Sequence, residues 1–428
     1  MRKIFLTIMC LIIFSVVTFA EKVQPENDFE TREIQLICAL SSIAAYSNDE
    51  SFLVRSNLSS RGWKVNPVTV DKNGVKTKGY LIGKTFYDGR TVKIFVISGT
   101  EYLKDVEVDF RLGGVNLHED NLDGIFVHKG FRDYADAALS DGIAEFLIDE
   151  LKNNPNETLY LTGHSLGGSV SIVMAIRLSD MGIDKNRMQV ITFGALAVGN
   201  KNLADYYSDK INLTRIEVKG DIVKKMFEPF GYVQFGDVLK WKPDRSVDDY
   251  EHKMSMYLDC ALRNYFDAEG FYFDDNIGEN KIDVPIYVAP IKFVGENFNN
   301  KDEKYIYGIL RTGLTAHMSA LTFDEKNYIE VNDADEISKG IIPLIERAKN
   351  FGCKYILVQL INAARVRDAQ DNERQVMLYE MLCDLNGMPI LMQTSGMSTK
   401  DLSLIEAAAL AQENLHNKLE TALSDKNS

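Results

Sequence analysis

Cysteine is scarce in this chain: five in 428 residues. No C-x-x-C pair and no H-E-x-x-H occurs, so no local motif suggests a metal site, and none suggests a cofactor. Basic charge is also short. Forty-eight Lys and Arg face 62 Asp and Glu, a formal net charge of -14. That balance argues against a nucleic-acid partner, which needs a basic patch. It offers no general pull toward anionic lipid headgroups either. Beyond the N-terminus no stretch reaches about 18 unbroken apolar residues, the length a membrane span takes. Histidine numbers only six, which makes elimination a usable argument.

The first twenty residues stand apart. Arg2 and Lys3 precede an apolar run over 4–19, and Ala20 follows. This order of basic, apolar and small residues reads as an export signal over 1–20. It predicts a periplasmic, cell-envelope or extracellular location. Cys38, Cys260, Cys353 and Cys383 lie beyond it in apolar stretches. They read as buried thiols. Pairs 38–260 and 353–383 are the alternative that export would permit.

Strands and helices then alternate. A helix is expected over 33–46. Two β-rich runs, 79–87 and 91–98, flank Asp88-Gly89-Arg90, a hairpin signal. An amphipathic helix is expected over 131–151, ended by Pro155. Short apolar strands follow at 189–193 and 216–218. Such alternation predicts a mainly parallel sheet covered on both faces. Composition shifts near residue 270, and the acidic stretch 274–283 reads as a linker. The division is a signal over 1–20, an α/β domain over 21–270, a linker over 271–283 and a smaller α/β or α+β unit over 284–428. In that unit strands are expected at 284–293, 328–331 and 354–360. Helices are expected at 305–321, 337–350 and 401–423. A hairpin over 375–394 turns at Asn386-Gly387. Ser398 and Asp401 stand at capping-box spacing before the last helix.

The most informative segment is 158–178, TLYLTGHSLGGSVSIVMAIRL. An apolar strand, a glycine-framed serine and an apolar helix follow one another. Gly163-His164-Ser165-Leu166-Gly167, extended by Gly168, has the spacing of a nucleophile elbow. A strand turning that sharply into a helix strains the serine's backbone. Side chains at the flanking glycines would collide. Ser165 is therefore the candidate nucleophile. It needs a base, and the base an orienting acid. His118, His128 and His164 precede the serine, while His317 and His416 lie in the second unit. His252 alone follows Ser165 within the first. Asp221 closes a strand at Lys219-Gly220-Asp221 and is the leading acid, with Asp237, Asp244 and Asp248 as competitors.

Residues 30–265 resemble the class 3, fungal-type lipases of the α/β-hydrolase superfamily. GHSLGG at 163–168 is similar to that family's nucleophile motif. VHKGF at 127–131, ITFGALAVGN at 191–200 and RIEVKGDIVKKMFEPFGY at 215–232 resemble other family segments. The resemblance implies a Ser165–Asp221–His252 triad that cleaves acyl esters of lipids through an acyl-enzyme. It implies an oxyanion hole from Thr100 and the Leu166 backbone. It also implies a lid over 101–112, where apolar and charged residues alternate, able to touch a lipid surface. Two departures stand out: Ser98 replaces the family's usual arginine, and Leu196-Ala197 replaces a usual proline–arginine pair. Both bear on substrate type more than on the triad.

The second unit weakly resembles small α/β domains of bacterial envelope proteins, of the curli-secretion and TolB N-terminal types. The similarity rests on 284–293, on GCKYILV at 352–358 and on Leu385-Asn386-Gly387. It implies an envelope-protein partner through 284–423. Alternatives to hydrolysis are an envelope-binding scaffold, or acyl transfer by the same triad.

Overall fold

The computed structural model describes residues 29–46, 58–59, 61–72, 74–86, 88–99, 113–118, 124–243, 252–273, 281–295, 298–326, 340–366, 373–400 and 402–424. The export signal, Thr100, the expected lid over 101–112, the strand at 328–331, most of the linker, and Asp244 and Asp248 lie outside them.

The first half runs α1 (Phe29–Ala44), β1 (Lys64–Lys72), β2 (Val75–Thr85), β3 (Thr91–Ile97), β4 (Gly114–Asn116) and β5 (Phe126–His128). It continues with α2 (Lys129–Ala138), α3 (Ile143–Asn153), β6 (Glu157–His164), α4 (Leu166–Asp180), β7 (Met188–Phe193), α5 (Lys201–Tyr207), β8 (Asn212–Val218), β9 (Asp237–Trp241) and α6 (Met254–Phe266). Among the described residues these strands build a seven-stranded sheet in the order β1-β2-β3-β6-β7-β8-β9. β3 and the strands after it pair in parallel, while β1 and β2 add an antiparallel edge. This is the mainly parallel, helix-covered sheet that the alternation predicts.

β3 shows why its sequence is continuously apolar. Ile94 and Val96 join the apolar cluster formed with α1 and α6. Phe95 and Ile97 join the opposite one, with α2, α3 and α4. A strand covered on both faces has no polar side to show. β1 was not expected: its sequence KVNPVTVDK is mostly polar and largely exposed. It sits on the sheet edge, where a proline is tolerated. The helix expected over 131–151 is two helices. Asp141 and Gly142 take positive φ, +56° and +84°, and break it. Phe146 of α3 is 46% exposed.

The second half runs β10 (Ile286–Val288), β11 (Lys292–Val294), α7 (Asn300–His317), β12 (Leu321–Phe323), α8 (Ile342–Asn350), β13 (Tyr355–Arg365), β14 (Arg374–Asp384), β15 (Pro389–Ser398) and α9 (Leu404–Ser424). β12, β10, β13, β14 and β15 are neighbours in that order, and β11 also pairs with β13. The strand expected over 284–293 is interrupted between Val288 and Lys292, where Pro290 removes a ladder donor. The capping box of the last helix is not Ser398–Asp401, because Ser398 still belongs to β15. Ser403 and Glu406 form it: Ser403 N donates to Glu406 Oε2 at 2.7 Å, and Glu406 N donates to Ser403 Oγ at 3.2 Å.

The two halves share one apolar cluster. Leu36 and Ile37 of α1, Leu258 and Leu262 of α6, Ile306 and Leu310 of α7, and Ile405 and Leu415 of α9 all belong to it. The four cysteines are free and buried.

Candidate active site

β6 delivers the chain to the carboxyl edge of the parallel strands, and α4 starts one residue later. Between them Ser165 holds φ +57° and ψ −122°. A non-glycine residue there is strained by roughly 1–3 kcal/mol. The surroundings explain why it stays. A Cβ on Gly163 would lie 2.5 Å from Gly167 C, and one on Gly167 would lie 2.2 Å from Ile97 O. The glycines let α4 pack directly on β3 and β6. Ser165 N is held by Phe193 O at 2.9 Å. Leu166 opens α4, so its backbone N–H is one of the donors a helix N-terminus leaves available for negative charge.

His252 lies two residues before α6, and Asp221 three residues after β8. The structure brings both to Ser165. Ser165 Oγ stands 2.8 Å from His252 Nε2, and His252 Nδ1 stands 2.8 Å from Asp221 Oδ2. All three are buried. A carboxylate only accepts, so His252 donates from Nδ1 and its Nε2 accepts from the serine hydroxyl. Asp237, a competitor, opens β9 and is exposed.

Asp221 is itself held in place. Tyr257 of α6 donates to its Oδ2 at 2.5 Å, and Val223 N donates to its Oδ1 at 2.9 Å. Burial pushes the carboxyl up. The bond and charge of His252, together with the tyrosine and backbone donors, outweigh that and hold it below the usual carboxylate range. Burial and then the neighbouring Asp221 raise the Tyr257 hydroxyl well above its ordinary value, so it stays a donor. Sequence reasoning did not find Tyr257. Its only sequence signal is its place one turn into the helix after His252.

His164 belongs to the elbow motif, and the structure shows what it touches. Its Nε2 donates to the His252 backbone oxygen at 2.6 Å, and its Nδ1 accepts from the Tyr46 hydroxyl at 2.6 Å. The loop carrying His252 is thus tied to β6 and, through Tyr46, to the end of α1. Burial and then neighbouring His252 lower the His164 pKa to about 3. Gly194, within the 191–200 motif, leaves room for the Asp221 carboxylate. It has φ +58°, and a Cβ there would lie 2.7 Å from Asp221 Oδ2 and 2.8 Å from the Tyr257 hydroxyl.

The chemistry open to this arrangement is proton removal from a strained, buried hydroxyl by an imidazole of fixed tautomer. The other histidines are elsewhere. His118 contacts the Tyr207 hydroxyl at 3.0 Å, and His128 stacks on Phe227.

Residues 94–230 match the family model described as Lipase (class 3). A lipase of Rhizomucor miehei is 31% identical over 131 residues, which is 30% of this chain and 36% of that protein. The chloroplastic phospholipase A1 PLIP1 of Arabidopsis thaliana is 25% identical over 140 residues, 32% of this chain and 21% of that one. The chain therefore spans about a third of the first relative's length and about a fifth of the second's. Among solved structures, Rhizomucor miehei triacylglyceride lipase aligns over 50% of this chain and 81% of its own, at 20% identity and a TM-score of 0.42. A lipase from Rhizopus microsporus var. chinensis aligns over 56% and 89%, at 19% identity and a TM-score of 0.42.

Proposed function

We propose, from the premise that residues 94–230 belong to the class 3 lipase family, that this protein hydrolyses carboxylic esters of lipids. The observation that carries the reading is the unbroken chain Ser165 Oγ, His252, Asp221, with both contacts at 2.8 Å. Ser165 attacks the ester carbonyl as His252 Nε2 takes its proton. The same imidazolium returns the proton to the leaving alcohol, and water then repeats the sequence on the acyl-enzyme. Asp221 keeps the proton on Nδ1 and balances the imidazolium. Tyr257 fixes the carboxylate. Leu166 N and Thr100 are assigned to the oxyanion, where one donor is worth about 10²–10³ in rate. Export through 1–20 and contact with a lipid surface through 101–112 complete the reading.

A fluorophosphonate probe tests it. Wild type is expected to label at neutral pH, and Ser165→Ala to lose both labelling and turnover of an ester panel, by about 10⁴-fold or more. Absence of any Ser165-dependent labelling would sink the reading.

A second reading gives 284–423 a protein partner. It is favoured by large apolar side chains exposed on that unit: Ile342, Phe351, Met388 and Met392. Capture of that partner would survive Ser165→Ala, which separates the two roles.

A further inference from the structure

His317 closes α7, while Glu413 and His416 sit three residues apart on α9. That spacing puts the latter two on one helix face. One ligand atom from each of the three residues lies within 4.8 Å of those of the other two. The imidazole centroids are 4.1 Å apart, and His416 Nε2 is 3.9 Å from Glu413 Oε2. His416 is buried, and the other two are largely so.

The tautomer of His317 is the decisive detail. Its Nδ1 lies 2.9 Å from Glu420 Oε1. A carboxylate accepts, so Nδ1 carries the proton and Nε2 keeps a lone pair. That Nε2 is buried and has no hydrogen-bond partner among the described residues. A buried polar atom left so is costly unless something satisfies it. The backbone of α7 also runs close to α9 here: a Cβ on Gly313 would fall 2.1 Å from Gln412 Oε1 and 3.6 Å from His416 Nε2.

We propose that His317 Nε2, His416 Nε2 and a Glu413 carboxylate oxygen bind one divalent transition metal, zinc above all. Two imidazoles and one carboxylate are a zinc donor set that leaves a fourth position for water. Glu420 supplies the carboxylate that orients a metal-bound imidazole from behind. Nitrogen and oxygen ligands about 2.0–2.1 Å from zinc stand roughly 3.4 Å apart, so the triangle closes by side-chain movement of about 1 Å. Glu413 also lines a cavity of about 90 Å³ with Glu33, Arg61, Trp63 and Glu406. Arg61, in the same lining, interacts electrostatically with Glu413. The metal would staple α7 to α9, the helices that carry the junction between the two halves. Its ligands escape motif reading because only Glu413-x-x-His416 is local.

The test uses the full chain, stripped with a chelator. Titration with Co²⁺ followed by absorbance is expected to give one equivalent and the visible bands of a four- or five-coordinate site, displaced by Zn²⁺. His317→Gln and Glu413→Gln should each weaken binding at least 100-fold, and Glu420→Gln by about 10–100-fold. Zinc should raise the melting temperature of wild type and of Ser165→Ala, but not of His317→Gln. Retained binding in Ser165→Ala keeps this result independent of the hydrolase reading. No saturable Co²⁺ band in wild type overturns the proposal. So does unchanged affinity in folded His317→Gln and Glu413→Gln. If those variants fail to fold, the wild-type titration decides.

Discussion

At the scale of single residues, His164 shows how a side chain outside the proposed Ser165–His252–Asp221 triad can set the stability of that region. It is neutral because its imidazole is buried and donates to the His252 carbonyl while accepting from Tyr46. Its pKa is about 3 in the fold, against an ordinary value of 6.5. Below pH 6.5 the unfolded chain therefore takes up a proton that the folded chain refuses. The stability from this group is fully present above pH 6.5 and falls as pH drops toward 3, by about 1.4 kcal/mol per pH unit. His128, lowered to about 4, acts in the same direction. Denaturant unfolding between pH 6.5 and 4.5 should thus show stability falling with acid. His164→Asn should flatten that slope by about one proton while lowering stability at pH 7. An unaltered slope would mean that His164 titrates alike in both states.

At the scale of elements, the elbow between β6 and α4 is governed by contact distance. α4 approaches β3 so closely that Gly167 has no room for a methyl group, the nearest backbone oxygen standing 2.2 Å from its would-be Cβ. Gly167→Ala must move α4 away from the sheet or distort the turn. Overpacking of this kind costs about 1–3 kcal/mol or more, and it displaces Ser165 from His252. Thermal melting should show a loss of several degrees, and labelling of Ser165 should fall more steeply than the folded fraction. Equal losses in both would mean that the glycine serves folding alone. The other breaks have equally local causes. Asp141 and Gly142 adopt positive φ and split one amphipathic stretch into two helices, and Pro290 divides β10 from β11.

At the scale of the whole molecule, one apolar cluster draws on both sides of the stretch 271–283, whose composition reads as that of a linker. α1 and α6 cover one face of the first sheet, and α7 and α9 join the same apolar cluster. Residues 21–270 alone would leave that side of α6 in water, an apolar patch of the kind that drives association. A chain cut after residue 270 is therefore expected to elute as aggregate and to bind a hydrophobic dye. A monomeric 21–270 fragment that still labelled at Ser165 at the wild-type rate would contradict this. Since α6 also carries Tyr257 and follows His252, loosening that face would reach Asp221 and His252 directly.

What the chain settles by itself is local. The glycines around Ser165, the apolar strand before it and the helix after it are legible because their geometry follows from neighbouring residues. His252 is legible because six histidines leave few choices, and the strand-then-helix order is legible because sheets buried on both faces need continuous apolar runs. Tertiary structure decides what depends on distant partners. Tyr257 reaches Asp221, and Tyr46 reaches His164, across separations that no periodicity encodes. β1 is a strand because β2 offers it an edge, not because its polar sequence prefers one. α1 and α6 reveal only by packing that their outer faces belong to the second half. His317 meets Glu413 and His416 only once α7 and α9 are pressed together. Propensity and pattern act over a few residues, whereas burial, tautomer and charge balance are set by whatever the folded chain brings alongside.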